Sequence, residues 1–100
     1  MDINIEELTK QIVKSLTPKQ IRVLDRLGLS DAGIGEELHC DPRTISQDLN
    51  RIYGKFGDCG IINFKGRNKR STLTEVWPEI RKRYQLEIRE ILERRRGKAD

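Results

Sequence analysis

His39, Cys40 and Asp41 are consecutive, and Ser46 follows five residues later, so one short stretch holds an imidazole, a thiol, a carboxylate and a hydroxyl. Those groups could build a nucleophilic or metal site, but the rest of such a site is missing. His39 is the only histidine. Cys40 and Cys59 lack CxxC spacing and are too few for a disulfide framework, which leaves them as reduced thiols. No Gly-rich phosphate loop and no paired catalytic carboxylates accompany them. The sequence therefore predicts no enzyme: no catalytic residue, no metal ligand and no cofactor. His39 reads as a turn residue with a packing or surface role, and a redox-sensing thiol at Cys59 is the minor alternative.

The residue types that remain are those that read and anchor nucleic acid. The run Lys65-Gly66-Arg67-Asn68-Lys69-Arg70 is basic at four of six positions and lies between apolar segments. It belongs to a strongly cationic half: residues 51–100 hold fourteen Lys and Arg against seven Asp and Glu, whereas residues 1–50 hold six against nine. Such asymmetry points to a polyanionic partner. Arg43, Ser46, Gln47, Asn50 and Arg51 add donors suited to base edges and phosphates.

Those side chains need elements to hold them. Composition sets the frame, with 35% hydrophobic against 36% charged residues in 100, a thin core and an ionised surface that suit a single helical domain. Ile3, Ile5, Leu8, Ile12 and Val13 recur at helical spacing behind Asp2, predicting a helix over 3–15. Thr17-Pro18 starts a second helix through Leu27, with Gly28 as its stop. Ser30 or Asp31 caps a short third helix over 31–38, in which Gly33 and Gly35 suggest that another helix crosses closely. Asp41-Pro42 starts a fourth helix, 42–56, ending at Gly57.

Rotation of that fourth helix separates its two faces. With Ile45 as origin and about 100° per residue, Leu49, Ile52 and Phe56 fall within about 40° of it. Arg43, Gln47, Asn50 and Gly54 fall within about 40° of the opposite direction, flanked by Ser46 and Arg51. Asp48 lies off that outward face, within reach of Arg51 or Lys55. A short capped helix, a tight turn and a helix with one buried stripe and one polar face is the organisation of a helix-turn-helix.

The run Leu16-Thr17-Pro18-Lys19-Gln20-Ile21-Arg22-Val23-Leu24, with Gly28-Leu29-Ser30-Asp31, Ile34, Leu38, Thr44-Ile45 and Ile52-Tyr53-Gly54-Lys55-Phe56-Gly57, resembles the LuxR/NarL-type (GerE-like) helix-turn-helix of bacterial transcription regulators. The likeness spans about 42 residues, from Leu16 to Gly57. A weaker similarity runs to the DNA-reading region of sigma factors. The resemblance implies a four-helix DNA-binding domain that puts its third core helix in the major groove and often dimerises through its last helix. It implies contacts from Ser46, Gln47 and Asn50, with Thr44 at the helix start and Lys55 toward the DNA backbone. Asp48 stands where the family usually has histidine, and Ser46 where a basic residue is common. The link to the last helix is enlarged into Asp58–Ser71 and carries the basic run.

Ile61, Ile62 and Phe64, the Gly66 turn and residues 69–73 form either a short β-wing at 61–73 or a plain loop, with Lys65, Arg67, Lys69 and Arg70 on the DNA backbone. Leu73, Trp77, Ile80, Tyr84, Ile88 and Ile91 then form a stripe along a C-terminal helix, 73–96, regular from Pro78. That stripe packs either on the N-terminal helix or on a second copy of the chain. The dimer would present two such helices to half-sites ~34 Å apart.

The expectation is an all-α single domain over 1–100, divided into the 3–15 helix, the 16–57 helix-turn-helix, the 58–72 basic loop or wing, and the 73–96 helix. Its function would be sequence-specific binding of double-stranded DNA as a homodimeric transcription regulator, in the cytoplasm and on the nucleoid. The rival is an adaptor contacting RNA polymerase or another regulator through its terminal helices. No stretch is apolar enough for a membrane span or signal peptide.

Overall fold

Thr17 and Gln20 show how directly the local sequence sets the backbone. The Gln20 N–H donates to Thr17 Oγ1 at 3.1 Å, and the Thr17 N–H donates back to Gln20 Oε1 at 3.0 Å. This capping box, with proline at the first helical position, starts one of six helices in the computed structural model. The structure describes residues 5–58 and 60–98, with side chains through Glu93. The expected helix start at Ile3 and the thiol of Cys59 lie outside the described residues.

The chain runs α1 (Ile5–Ser15), α2 (Pro18–Leu24), α3 (Asp31–Leu38), α4 (Pro42–Asp58), α5 (Lys69–Arg83) and α6 (Gln85–Lys98). No strand occurs among the described residues. Ser30 caps α3 by accepting from the Gly33 N–H at 3.1 Å, and Asp41 accepts from the Arg43 N–H at 2.8 Å at the start of α4. Between them His39 ends α3 in the left-handed conformation, with φ 58°, and the Cys40 N–H donates to the Gly35 carbonyl at 2.7 Å. A Cβ on Gly35 would sit 2.5 Å from the Cys40 carbonyl oxygen. Gly35 is therefore required by the chain's own turn rather than by a crossing helix, while a Cβ on Gly33 would meet only Leu29 and Ser30 side chains.

One apolar cluster runs from Val13 through Ile21, Leu24, Ile34, Ile45, Ile52 and Phe56 to Leu73 and Ile88, all nearly or wholly buried. α4 packs on α2 and α3, and α6 packs on α1 and α2. Burying an aliphatic or aromatic side chain of this size contributes roughly 1.5–3 kcal/mol, so these residues dominate the stability.

Four boundaries differ from the sequence reading. α2 ends at Leu24 and a turn carries Leu27, 6% exposed, into the core. α4 continues through Gly57 to Asp58, with a Cβ at Gly57 only 3.3 Å from the Phe64 ring. Residues 60–67 run through turns and bends with no regular element, and residues 69–73, read with the 61–73 wing or loop, are the first turns of α5. Asn68 caps that helix by accepting from the Ser71 N–H at 3.0 Å. Finally, the C-terminal helix is two helices. Pro78 lies inside α5, and the break falls at Tyr84, whose φ of −113° and ψ of 33° are not helical.

The stripe assigned to a dimer seam is interior to one chain. Leu73, Trp77, Ile80, Tyr84 and Ile88 are all at most 8% exposed, and Ile91 packs at the cluster's edge. Within one chain the stripe is covered by packing of α6 on α1 and α2. Polar links fix the arrangement: Trp77 Nε1 donates to Asp25 Oδ1 at 2.9 Å, Arg81 pairs with the same carboxylate at 3.2 Å, and the Tyr84 hydroxyl donates to the Glu6 carbonyl at 3.2 Å.

Candidate nucleic-acid interface

The buried stripe of α4 fixes what its opposite side presents. Ile45, Leu49, Ile52 and Phe56 are at most 3% exposed, which turns Arg43, Ser46, Gln47, Asn50 and Arg51 outward, all exposed. Thr44, at the helix start, is half-buried. The face is thus built of guanidinium, amide and hydroxyl donors on consecutive turns, a set that can pair with base edges or phosphate oxygens.

Asp48 is drawn away from this face. It is 7% exposed and forms an ion pair with Lys19 of α2, Nζ to Oδ2 at 3.1 Å. Arg51, expected as its partner, stands farther off at 3.9 Å and is largely exposed. The paired Asp48 carboxylate raises the Lys19 pKa above the ordinary lysine value, against a smaller lowering by burial. An α2 lysine was not among the sequence-predicted partners because the α2–α4 packing that brings it there is long-range.

Lys55 is also turned inward. Its ammonium donates to the Ser15 carbonyl and to Gln20 Oε1, each at 2.9 Å, at the C-terminal end of α1 where cations are favoured. Burial lowers its pKa below the usual lysine value. These two bonds tie α4 to the end of α1 and to the first turn of α2.

The basic run divides in three. Arg70, expected in an exposed loop, lies in the first turn of α5 and clamps the α2–α3 connection. It donates to Asp31 Oδ1 at 2.5 Å, to the Leu27 carbonyl at 3.4 Å and to the Leu29 carbonyl. Arg67 is exposed and lines a groove bounded by Ile5, Thr9, Val76 and Ile80. Lys65 and Lys69 remain, both exposed, and they share a concave surface with Asn50. Lys69 Nζ stands 5.9 Å from the centre of the Tyr53 ring, within cation–π range, and Tyr53 meets Phe64 edge to face at 5.8 Å. Burial pushes the Tyr53 phenol up, with Arg70 opposing and Asp31 reinforcing.

Sequence reasoning missed the Tyr53–Phe64–Lys69 cluster and the Asn68 cap. The cap had a signal, since Asn three residues before Ser71 has N-cap spacing; the cluster had none, because it joins α4, the loop and α5. Cys40 is half-buried, with Sγ 3.3 Å from the Leu38 carbonyl. Among the described residues no group of three or more His, Cys, Asp or Glu could hold a metal ion, and no helix is long and apolar enough to cross a membrane. No protein-family model, curated protein or solved structure matches the chain.

Proposed function

We propose that this chain is a sequence-specific reader of double-stranded DNA that acts in transcription regulation, with α3, the 39–41 turn and α4 as its helix-turn-helix and α4 in the major groove. One observation carries the reading: Arg43, Ser46, Gln47, Asn50 and Arg51 share the exposed face of α4, while Asp48 is withdrawn onto Lys19. A carboxylate left on that face would repel phosphate, so its withdrawal suits a polyanion better than it suits a protein adaptor. Lys65 and Lys69 add phosphate attraction beside the helix.

The burial of Trp77, Ile80, Tyr84 and Ile88 removes the residues that called for a two-fold operator. The reading is accordingly one recognition helix per chain and one short site. The test is selection from a random duplex pool by the wild-type chain and by the double variant Gln47→Ala, Asn50→Ala. The wild type enriches one short motif, and the variant binds that motif more weakly by about 2–6 kcal/mol, at ~1–3 kcal/mol per bidentate base contact. A pool that emerges unenriched would overturn the proposal and turn attention to protein partners of α1 and α6, RNA polymerase among them.

A further inference from the structure

At the C-terminal end of α4 a groove opens between that helix, the 60–67 loop and the start of α5. Asn50, Tyr53, Gly54, Asp58, Lys65 and Lys69 contribute to its walls. Neither lysine is held by a carboxylate in any ion pair among the described residues.

Gly54 is the unusual member. It lies in the interior of a 17-residue helix, where glycine is the least favourable residue after proline. Nothing in the chain asks for it: its φ is not left-handed, and a Cβ there would meet only Asp58 Oδ2, at an ordinary 3.8 Å. Gly35 and Gly57, by contrast, have neighbours that a Cβ would crowd. A glycine that the fold does not need, on the same outward face as Gln47 and Asn50, is what close approach of another molecule's backbone requires.

We infer that this groove seats one phosphodiester of the DNA backbone, which crosses α4 over Gly54 with Lys65 and Lys69 as its cations. The inference rests on the DNA-reading role proposed above. Asp58 faces the same groove and opposes the phosphate, so two lysines act against one carboxylate. Base reading is then confined to α4 between Arg43 and Asn50, roughly 10 Å of helix at 1.5 Å per residue, or about three base pairs.

The experiment compares the wild type with Gly54→Ala and Asp58→Asn, each measured for thermal midpoint and for affinity toward a duplex that the wild type has enriched. Gly54→Ala should raise the midpoint by about 4 °C, as expected for glycine to alanine in an open helix position, and should weaken duplex binding about tenfold. Asp58→Asn should strengthen binding about threefold. Unchanged affinity in Gly54→Ala, with the wild type still selective, would overturn the groove as a backbone seat while leaving the DNA reading standing. A lowered midpoint would overturn it too, since the fold would then account for the glycine. A wild type that enriches no duplex removes the DNA reading itself, and the groove's assignment with it.

Discussion

The Lys19–Asp48 ion pair determines the charge that α4 presents. Asp48 is 7% exposed, so removing its lysine leaves a nearly buried carboxylate with only the distant Arg51 for company. Lys19→Met should destabilise the chain by about 1–2 kcal/mol, and the double change with Asp48→Asn should cost less than Lys19→Met alone. Denaturant unfolding of the three variants checks both. The pH dependence has a definite sign. The Lys19 pKa is raised in the folded chain, chiefly by its pairing with Asp48, so its contribution is complete below the usual lysine value of 10.5 and is lost as pH rises through the higher folded value. Lys55, lowered by burial, acts oppositely in the alkaline range. Comparing alkaline stability in the wild type and Lys19→Met isolates the first effect, and the variant should show a shallower fall. From sequence, Asp48 could be placed off the outward face by rotation alone, but its partner could not: Lys19 is 29 positions earlier, and only helix packing brings the two together.

At the scale of elements, the helix starts were the most legible feature. Thr17-Pro18, Ser30 and Asp41-Pro42 all set backbone donors against nearby oxygens, and such caps depend on a few consecutive residues. Helix ends were less legible. α2 stops at Leu24 because its following turn is held from outside, by Arg70 donating to the Leu27 and Leu29 carbonyls and to Asp31. The same contact was not legible in the sequence, since the partners of Arg70 lie about forty positions away. The sharp turn between α3 and α4 depends on Gly35, where a Cβ would meet the Cys40 carbonyl at 2.5 Å. Gly35→Ala should therefore lose about 2–3 kcal/mol, in contrast to the gain expected from alanine at an unconstrained helical glycine. A chemical denaturation series reads the difference directly.

For the whole molecule, the long C-terminal stripe was legible as apolar and helical, whereas its destination was not: periodicity shows that a face is buried, without showing against what. Within one chain α6 packs on α1 and α2. Ile88, 0% exposed, is the sharpest probe. Ile88→Asp buries a charge and should unfold the chain, with loss of helical circular dichroism; a folded monomer derived from a dimeric wild type would instead indicate a seam between two copies. The central claim concerns charge and donors on one side of that compact body, and a salt titration of duplex binding tests it most directly. Binding of a genomic duplex pool by the wild type should be selective and fall linearly in log affinity against log salt. The slope should become shallower by about 1 in the double variant Lys65→Ala, Lys69→Ala, which share one phosphate contact, at ~0.9 per contact. Weak, unselective retention with a slope that the double variant leaves unchanged would contradict the account.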